Sequence, residues 1–240
     1  MTPTFKIIAH DALPSTSDTA KALAAAGAPH GTTVFARQQT AGRGRLGRHW
    51  VSPRGNLHVS FVLRYDLPPA RQGVVGFAAA LAVADLVDEH LSGGDRARLK
   101  WPNDVLVEGA KVAGILLEAD ASSGTPWLVL GVGVNLRHAP PDMPYPVASL
   151  ASLGASVPAV EAALDQLVAK LGSWLTLWEC NGFAPVREAW LRRGPAPGTA
   201  LRVTVGSLVR EGAFQDLDAD GALLLWAPDG TLRIASGEVG

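Results

Sequence analysis

Between Gly42 and Trp50 the chain reads Gly-Arg-Gly-Arg-Leu-Gly-Arg-His-Trp. Neither helix nor strand favours this composition, because glycine loses much backbone entropy on ordering and offers nothing to pack. Arg43, Arg45 and Arg48 repel one another unless an anion lies among them. A guanidinium fork matches phosphate or carboxylate oxygens with paired bonds, and glycine lets backbone N–H groups approach a phosphate closely. The stretch is therefore read as an anion-binding loop. Two lysines extend the theme. Lys111 follows a hairpin turn and opens an otherwise apolar strand, and Lys100 stands beside Trp101 and the corner Pro102-Asn103-Asp104. A lysine in apolar surroundings requires an anionic partner, for which phosphates or a substrate carboxylate would serve. Ser15, Thr16, Ser17 and Asp18 stand where a helix begins; they either cap it or line a site at its N-terminus.

Other chemistries find no support. The six histidines are scattered, and no pair has the spacing of a helical metal motif. Cys180 is the one cysteine, without a disulfide partner or zinc-ligand spacing, and reads as a passive buried or half-buried thiol. No serine occupies a nucleophile elbow. Gly42-Arg43-Gly44-Arg45 lacks the Lys-Ser/Thr that closes a nucleotide phosphate loop. Gly131-Val132-Gly133-Val134-Asn135 ends a strand instead of opening a helix, so it is not a dinucleotide fingerprint. Without a nucleophile or an obvious carboxylate pair, catalysis would rest on placement and charge neutralisation, as in phosphoryl or nucleotidyl transfer.

The elements that must hold these residues follow from periodicity. Strands are expected at Phe5–His10, Thr32–Ala36, Asn56–Leu63, Ala97–Trp101, Val105–Val107, Lys111–Ala119 and Trp127–Asn135. In the third, Leu57, Val59, Phe61 and Leu63 alternate with His58, Ser60 and Val62, which gives one core face. Helices are expected from Thr16 or Ser17 to Gly27, from Gly73 to Leu91, from Val160 to Asn181 and on to Arg192. Pro68-Pro69 marks a break, Asp120–Thr125 a turn and Pro140–Pro146 an irregular stretch. Gly131 and Gly133 on one strand face mean that something comes close there, either a packed helix or a flat ligand. After the linker Arg193–Gly198 the chain is all short strands: Leu201–Val205, Ser207–Glu211, Gly212–Leu217, Ala222–Trp226 and Thr231–Ala235. These suggest a small barrel that must dock on the rest to be stable.

The 240 residues are 48% hydrophobic, enough for a substantial core, and the seven tryptophans should mostly be core or pocket walls. A formal net charge of -1 gives no support to a broad nucleic-acid surface. The N-terminus lacks a signal-peptide pattern and no apolar run is long enough for a membrane helix, so a soluble, cytoplasmic protein is expected.

Five motifs in order carry a resemblance: Ser15-Thr16-Ser17; Gln39 with Gly42–Trp50; Lys100-Trp101-Pro102-Asn103-Asp104; Lys111–Leu116; and Gly131–Asn135. Over essentially its whole length the sequence resembles the biotin protein ligases. The resemblance implies an α+β fold with a class II synthetase-like catalytic domain, a mixed sheet and flanking helices over residues 1–192. A small SH3-like β-barrel would follow over 193–240. It implies ATP-dependent formation of biotinyl-5'-AMP and pyrophosphate, with Mg²⁺, then transfer of biotin to one lysine of a biotin carboxyl carrier protein. Ser15, Thr16, Ser17, Gln39, Gly42, Arg43, Gly44, Arg45, Lys111 and Gly114 would bind biotin. Arg45, Arg48, His49, Trp50, Lys100, Asn103 and Asn135 would meet the nucleotide. Lys111, Arg45, Arg43 and Asp104 would be catalytic, with Asp104 beside magnesium and the acceptor amine.

Two positions depart from the family pattern: Ser17 stands where asparagine is usual, and His49 where lysine or arginine is frequent. The catalytic pattern starts at Phe5, which leaves no room for the DNA-binding domain of some relatives, so a ligase that does not bind DNA is expected. A homodimer through sheet edges fits the family. The competing reading within the superfamily is a lipoate or octanoate ligase or transferase; outside it, a non-catalytic nucleotide- or carrier-binding module.

Overall fold

A computed structural model describes residues 3–92, 94, 96–120 and 126–240. Its first unit is a seven-stranded mixed sheet with helices on both faces. The elements in chain order are β1 (Lys6–His10), α1 (Thr16–Ala25), β2 (Thr32–Ala36), β3 (Leu57–Leu63), α2 (Pro69–Gln72), α3 (Val74–Asp88), β4 (Arg98–Lys100), β5 (Asp104–Val107), β6 (Ala110–Asp120), β7 (Trp127–Val134), α4 (Val160–Asn181) and α5 (Phe183–Arg193). The strand order is β1-β2-β3-β7-β6-β5-β4; β1 and β2 are parallel and the other neighbours antiparallel. Most expected elements stand within a residue or two of their places. Pro68-Pro69 starts the short α2 instead of a plain break, since proline is tolerated in a first helical turn. The turn expected at Asp120–Thr125 lies, beyond Asp120, outside the described residues.

On one face α3 packs against β4 to β7, with α4 and α5 behind it. Leu57, Val59, Phe61 and Leu63 of β3 and Leu128, Leu130, Val132 and Val134 of β7 belong to this core. α3 is apolar almost all round and buried almost throughout, as befits a helix between a sheet and two further helices. Its one interrupting acid, Asp85, accepts from Trp174 Nε1 at 2.7 Å and pairs with Arg193 at 2.8 Å.

The opposite face of β3 is buried as well, contrary to a strand with a single core face. Central strands in a layered sheet are covered on both sides. Val62, with Val34, Trp127 and Val129, lies under α1. Along β7 the same face reads Trp127, Val129, Gly131, Gly133, so bulk under the helix gives way to glycine beyond it.

The second unit is an antiparallel sheet of β8 (Ala200–Val205), β9 (Leu208–Leu217), β10 (Leu223–Ala227), β11 (Gly230–Ile234) and β12 (Glu238–Val239), in the order β11-β10-β9-β8-β12. β9 runs unbroken through Gly212, where two strands were expected; its register with β10 shifts by one residue at Gln215, opposite Leu224 and Leu225. This five-stranded unit is the small C-terminal β domain that was expected; among the described residues no ladder joins β11 to β12. Its Asp218–Ala222 turn reaches the first unit. Trp101 Nε1 donates to the Gly221 carbonyl at 3.1 Å, and Arg187 Nε donates to that of Leu217 at 2.6 Å.

One smaller expectation is corrected: Cys180 is exposed on the last turn of α4, away from the helix's buried stripe. The tryptophans are mostly buried or half-buried as expected, with Trp226, on the outer face of β10, the exception at 70% exposed. No helix among the described residues is long and apolar enough to cross a membrane.

Candidate functional site

Where α1 stops covering the sheet, a cavity of about 780 Å³ opens over β5, β6 and β7, within the usual size for a small-molecule site. Its floor is built from glycines. A side-chain carbon at Gly133 would come within 2.5 Å of the Trp50 indole, and one at Gly131 within 2.7 Å of Ser17 Oγ. Both alternatives for the close approach are thus partly met from within the chain, by a residue of α1 at Gly131 and by a flat indole at Gly133.

One wall is the start of α1. Ser15 is its N-cap, with Oγ accepting from the Asp18 amide at 3.3 Å. Thr16 donates its amide N–H (2.8 Å) and its hydroxyl (3.0 Å) to Gln39 Oε1. Gln39 Nε2 in turn donates to Ser52 Oγ at 2.8 Å. The glutamine side chain is held at both ends.

The roof is the glycine–arginine loop. Arg43 and His49 form an isolated bridge, and Arg45–Gly47 makes one tight turn with Leu46 at φ 54°. The three arginines have separate partners. Arg43 Nη2 lies 2.7 Å from Asp18 Oδ1 and 3.2 Å from both Glu118 oxygens, while its Nε is buried without a hydrogen bond. Arg45 donates to Asn103 Oδ1 and to the Gly237 carbonyl, each at 3.2 Å; burial lowers its pKa, but a guanidinium stays charged. Arg48 pairs with Glu238 of β12. The second unit therefore reaches the roof through its last strand.

Opposite, the corner after Lys100 carries Asn103 and Asp104. Asn103 Nδ2 donates to the Ile115 carbonyl at 2.7 Å, which turns its oxygen toward Arg45. Lys111, at the start of β6, places Nζ 2.6 Å from Asp104 Oδ1, in an ion pair with both side chains largely buried. That oxygen takes no hydrogen bond, so the contact is close but poorly aligned. Lys111 Nζ also stands 5.5 Å from the centre of the Trp50 ring and 5.8 Å from that of Tyr145. Its anionic partner within the chain is Asp104, and an incoming carboxylate would compete for the same ammonium. Lys100 lines the cavity and makes no ion pair among the described residues.

Among the described residues no group of three or more His, Cys, Asp or Glu could hold a metal ion. Asp104 Oδ1 already faces Lys111 Nζ at 2.6 Å, so a magnesium ion arriving on nucleotide phosphates would take this one protein carboxylate only once Lys111 had moved from it.

Of the residues expected at the site, Thr16, Ser17, Gln39, Arg43, Gly44, Arg45, Arg48, His49, Trp50, Lys100, Asn103, Asp104, Lys111 and Gly114 line this one cavity. Three do not. Ser15 is used as the helix cap. Gly42 faces away, against the Trp50 carbonyl and Ser52. Asn135 is buried, donates to the Ala148 carbonyl at 3.1 Å, and borders a neighbouring hollow of about 30 Å³. Sequence reasoning missed Asp18 and Glu118 as partners of Arg43, and Ser52 and Ser60 behind the wall. It also missed Met143, Tyr145 and the end of the chain as lining. Alternation had placed Ser60 on a defined strand face; which layer covers that face was not readable.

Comparison with known proteins agrees with this geometry. Residues 10–135 match the biotin/lipoate A/B protein ligase family, and residues 202–239 match the biotin protein ligase C terminal domain. A biotin–[acetyl-CoA-carboxylase] ligase of Paracoccus denitrificans is 39% identical over 86% of this chain and 88% of its own. The bifunctional ligase/repressor BirA of Bacillus subtilis is 32% identical over 97% of this chain and 73% of its own. The fold matches a biotin protein ligase from Aquifex aeolicus, solved with biotin and ATP, at a TM-score of 0.80 and 24% identity, over 98% of this chain and 97% of that one. The chain belongs to the biotin/lipoate A/B protein ligase family.

Proposed function

We infer that the chain is an ATP-dependent biotin–protein ligase acting on the carrier protein of acetyl-CoA carboxylase or a related carboxylase. The observation that carries this reading is the pairing of a glycine floor with Lys111, Lys100, Arg45 and Arg48 around one cavity. That is a floor a flat, uncharged ring could approach, with a concentration of positive charge beside it.

In the first half-reaction a biotin carboxylate oxygen attacks the α-phosphorus of ATP, and the bond to pyrophosphate breaks. Two anions must meet, so fixed cations lower the barrier. Lys111 would leave Asp104 for the carboxylate, and Arg45, Arg48 and Lys100 would lie along the phosphates. Magnesium bound beside Asp104 would add neutralising charge to the leaving pyrophosphate. In the second half-reaction the neutral amine of the acceptor lysine attacks the acyl carbon. The bond to AMP breaks, and Asp104 would orient the amine or take its proton. The loop over the cavity would keep water from the mixed anhydride. Arg43, committed to Asp18 and Glu118, would hold the loop's base.

The reading further comprises a catalytic domain of residues 1–192 with a C-terminal domain of 193–240, a cytoplasmic location and ligase activity without DNA binding. A homodimer would form through a free sheet edge; β1 offers one, with Ile7 40% exposed. Pyrophosphate release tests the core of the reading. Release with ATP and biotin but not with ATP and lipoate is expected; the reverse preference would make the chain a lipoate ligase.

A further inference from the structure

Behind the cavity wall, Ser60 on β3 has no exposed surface and lies outside the lining. Its Oγ is 2.8 Å from Thr16 Oγ1 and 3.1 Å from Ser17 Oγ. The chain of contacts runs Ser17, Ser60, Thr16, Gln39, Ser52 and ends on the Trp50 carbonyl, which accepts from Ser52 Oγ at 2.9 Å.

Two backbone groups fix which way every proton points. A carbonyl only accepts, so Ser52 must donate to Trp50 and accept from Gln39 Nε2. An amide N–H only donates, so the Gln39 atom facing the Thr16 amide is Oε1. Thr16 must then give its single hydroxyl proton to Gln39. Ser60, facing a Thr16 oxygen with no proton left, must donate to it, and Ser17 must donate to Ser60. Each hydroxyl has one proton and two lone pairs, so the order has no second solution. Ser17 Oγ is left with lone pairs alone for the cavity, and Gly131 supplies the room in which it sits.

We propose that Ser60 is a positioning residue for substrate choice. By taking the Ser17 proton, it makes Ser17 an acceptor that demands an N–H donor from the ligand. This rests on the biotin reading, in which the donor is a ureido N–H; a dithiolane ring offers none. It also says what serine does at a position where asparagine is usual, since an amide would present a donor as well as an acceptor.

The test is calorimetric binding, without ATP, of biotin and of the two cyclic carbamates in which one or the other ureido N–H is replaced by a ring oxygen. The wild-type protein should discriminate against at least one carbamate by about a hundredfold, because a lone pair would face a lone pair. Ser60→Ala frees the Ser17 proton to turn into the cavity and should narrow that gap by about tenfold. Ser60→Thr, which keeps the hydroxyl, should keep the gap. Ser17→Ala removes the same acceptor from the wall and should narrow the same gap, so the proposal stays testable if Ser60→Ala fails to fold. An unchanged gap in Ser60→Ala or Ser17→Ala, or equal weakening of all three ligands, would overturn the proposal. Failure of the wild-type protein to bind biotin at all would overturn the underlying reading instead.

Discussion

Lys111 is the residue on which the proposed chemistry turns. It is held by Asp104 at 2.6 Å beneath two aromatic rings, with little exposure to water to weaken its charge. Lys111→Ala should leave a folded protein and lower biotin-dependent pyrophosphate release by about 10²–10³-fold; unchanged release would remove it from the mechanism. Asp104→Asn should act differently. It keeps Lys111 but removes the carboxylate proposed for magnesium and for the acceptor amine. Adenylation should therefore slow less than in Lys111→Ala while transfer to the carrier slows as well, which single-turnover assays of the two steps would separate. Lys111 was legible in the sequence because a cation opening an apolar strand needs an explanation. Arg43 was legible as a cation, but its partners were not: Asp18 and Glu118 come from a helix and a distant strand, and only the packing of α1 over β3 and β7 brings them to it. Ser60 gave no signal, since a serine on the alternate face of a strand looks like solvent-side polarity.

At the scale of elements, the glycine–arginine loop acts together with two partners. The Arg48–Glu238 pair ties it to β12. Arg48 is half exposed, so the pair adds at most about 1 kcal/mol to stability. Its effect should lie in function: Glu238→Ala should change the unfolding midpoint little but raise the leakage of free adenylate, measured as biotin- and ATP-dependent AMP production without carrier. Beneath the loop, Gly133→Ala would drive a methyl group into the Trp50 indole, at an expected cost of about 1–3 kcal/mol. The indole should shift, and the KM for ATP should rise more than that for biotin. The loop's composition announced binding, and the paired glycines announced a close approach. That the approaching groups are Trp50 and Ser17 followed only from the fold, because the sequence does not say how far α1 extends over the sheet.

The molecule as a whole carries a pH dependence of its own. His58 sits on β3 with Nε2 3.2 Å from the Pro53 carbonyl, and burial pushes its pKa down to about 4. A histidine unfolds to a value near 6.5, so the unfolded chain binds the proton first as pH falls. Stability from this group is complete above ~6.5, declines between ~6.5 and ~4, and is flat below; the total loss is about 3 kcal/mol. Urea unfolding across that window should show the slope, and His58→Gln should flatten it. The two units meet at the site itself, through Trp101 against Gly221 and through Arg45 and Arg48 against Gly237 and Glu238. The small strand-rich unit was readable from its turns, whereas this contact was not, because docking depends on shape and not on periodicity. The central claim concerns the acyl group that this whole assembly transfers. The most direct measurement is the intact mass of a biotin carboxyl carrier domain incubated with the protein, ATP, Mg²⁺ and equal amounts of biotin and lipoate. The account predicts the gain of one biotinyl group on the carrier's acceptor lysine, abolished when that lysine is replaced by arginine; a lipoyl group, or no change in mass, would contradict it.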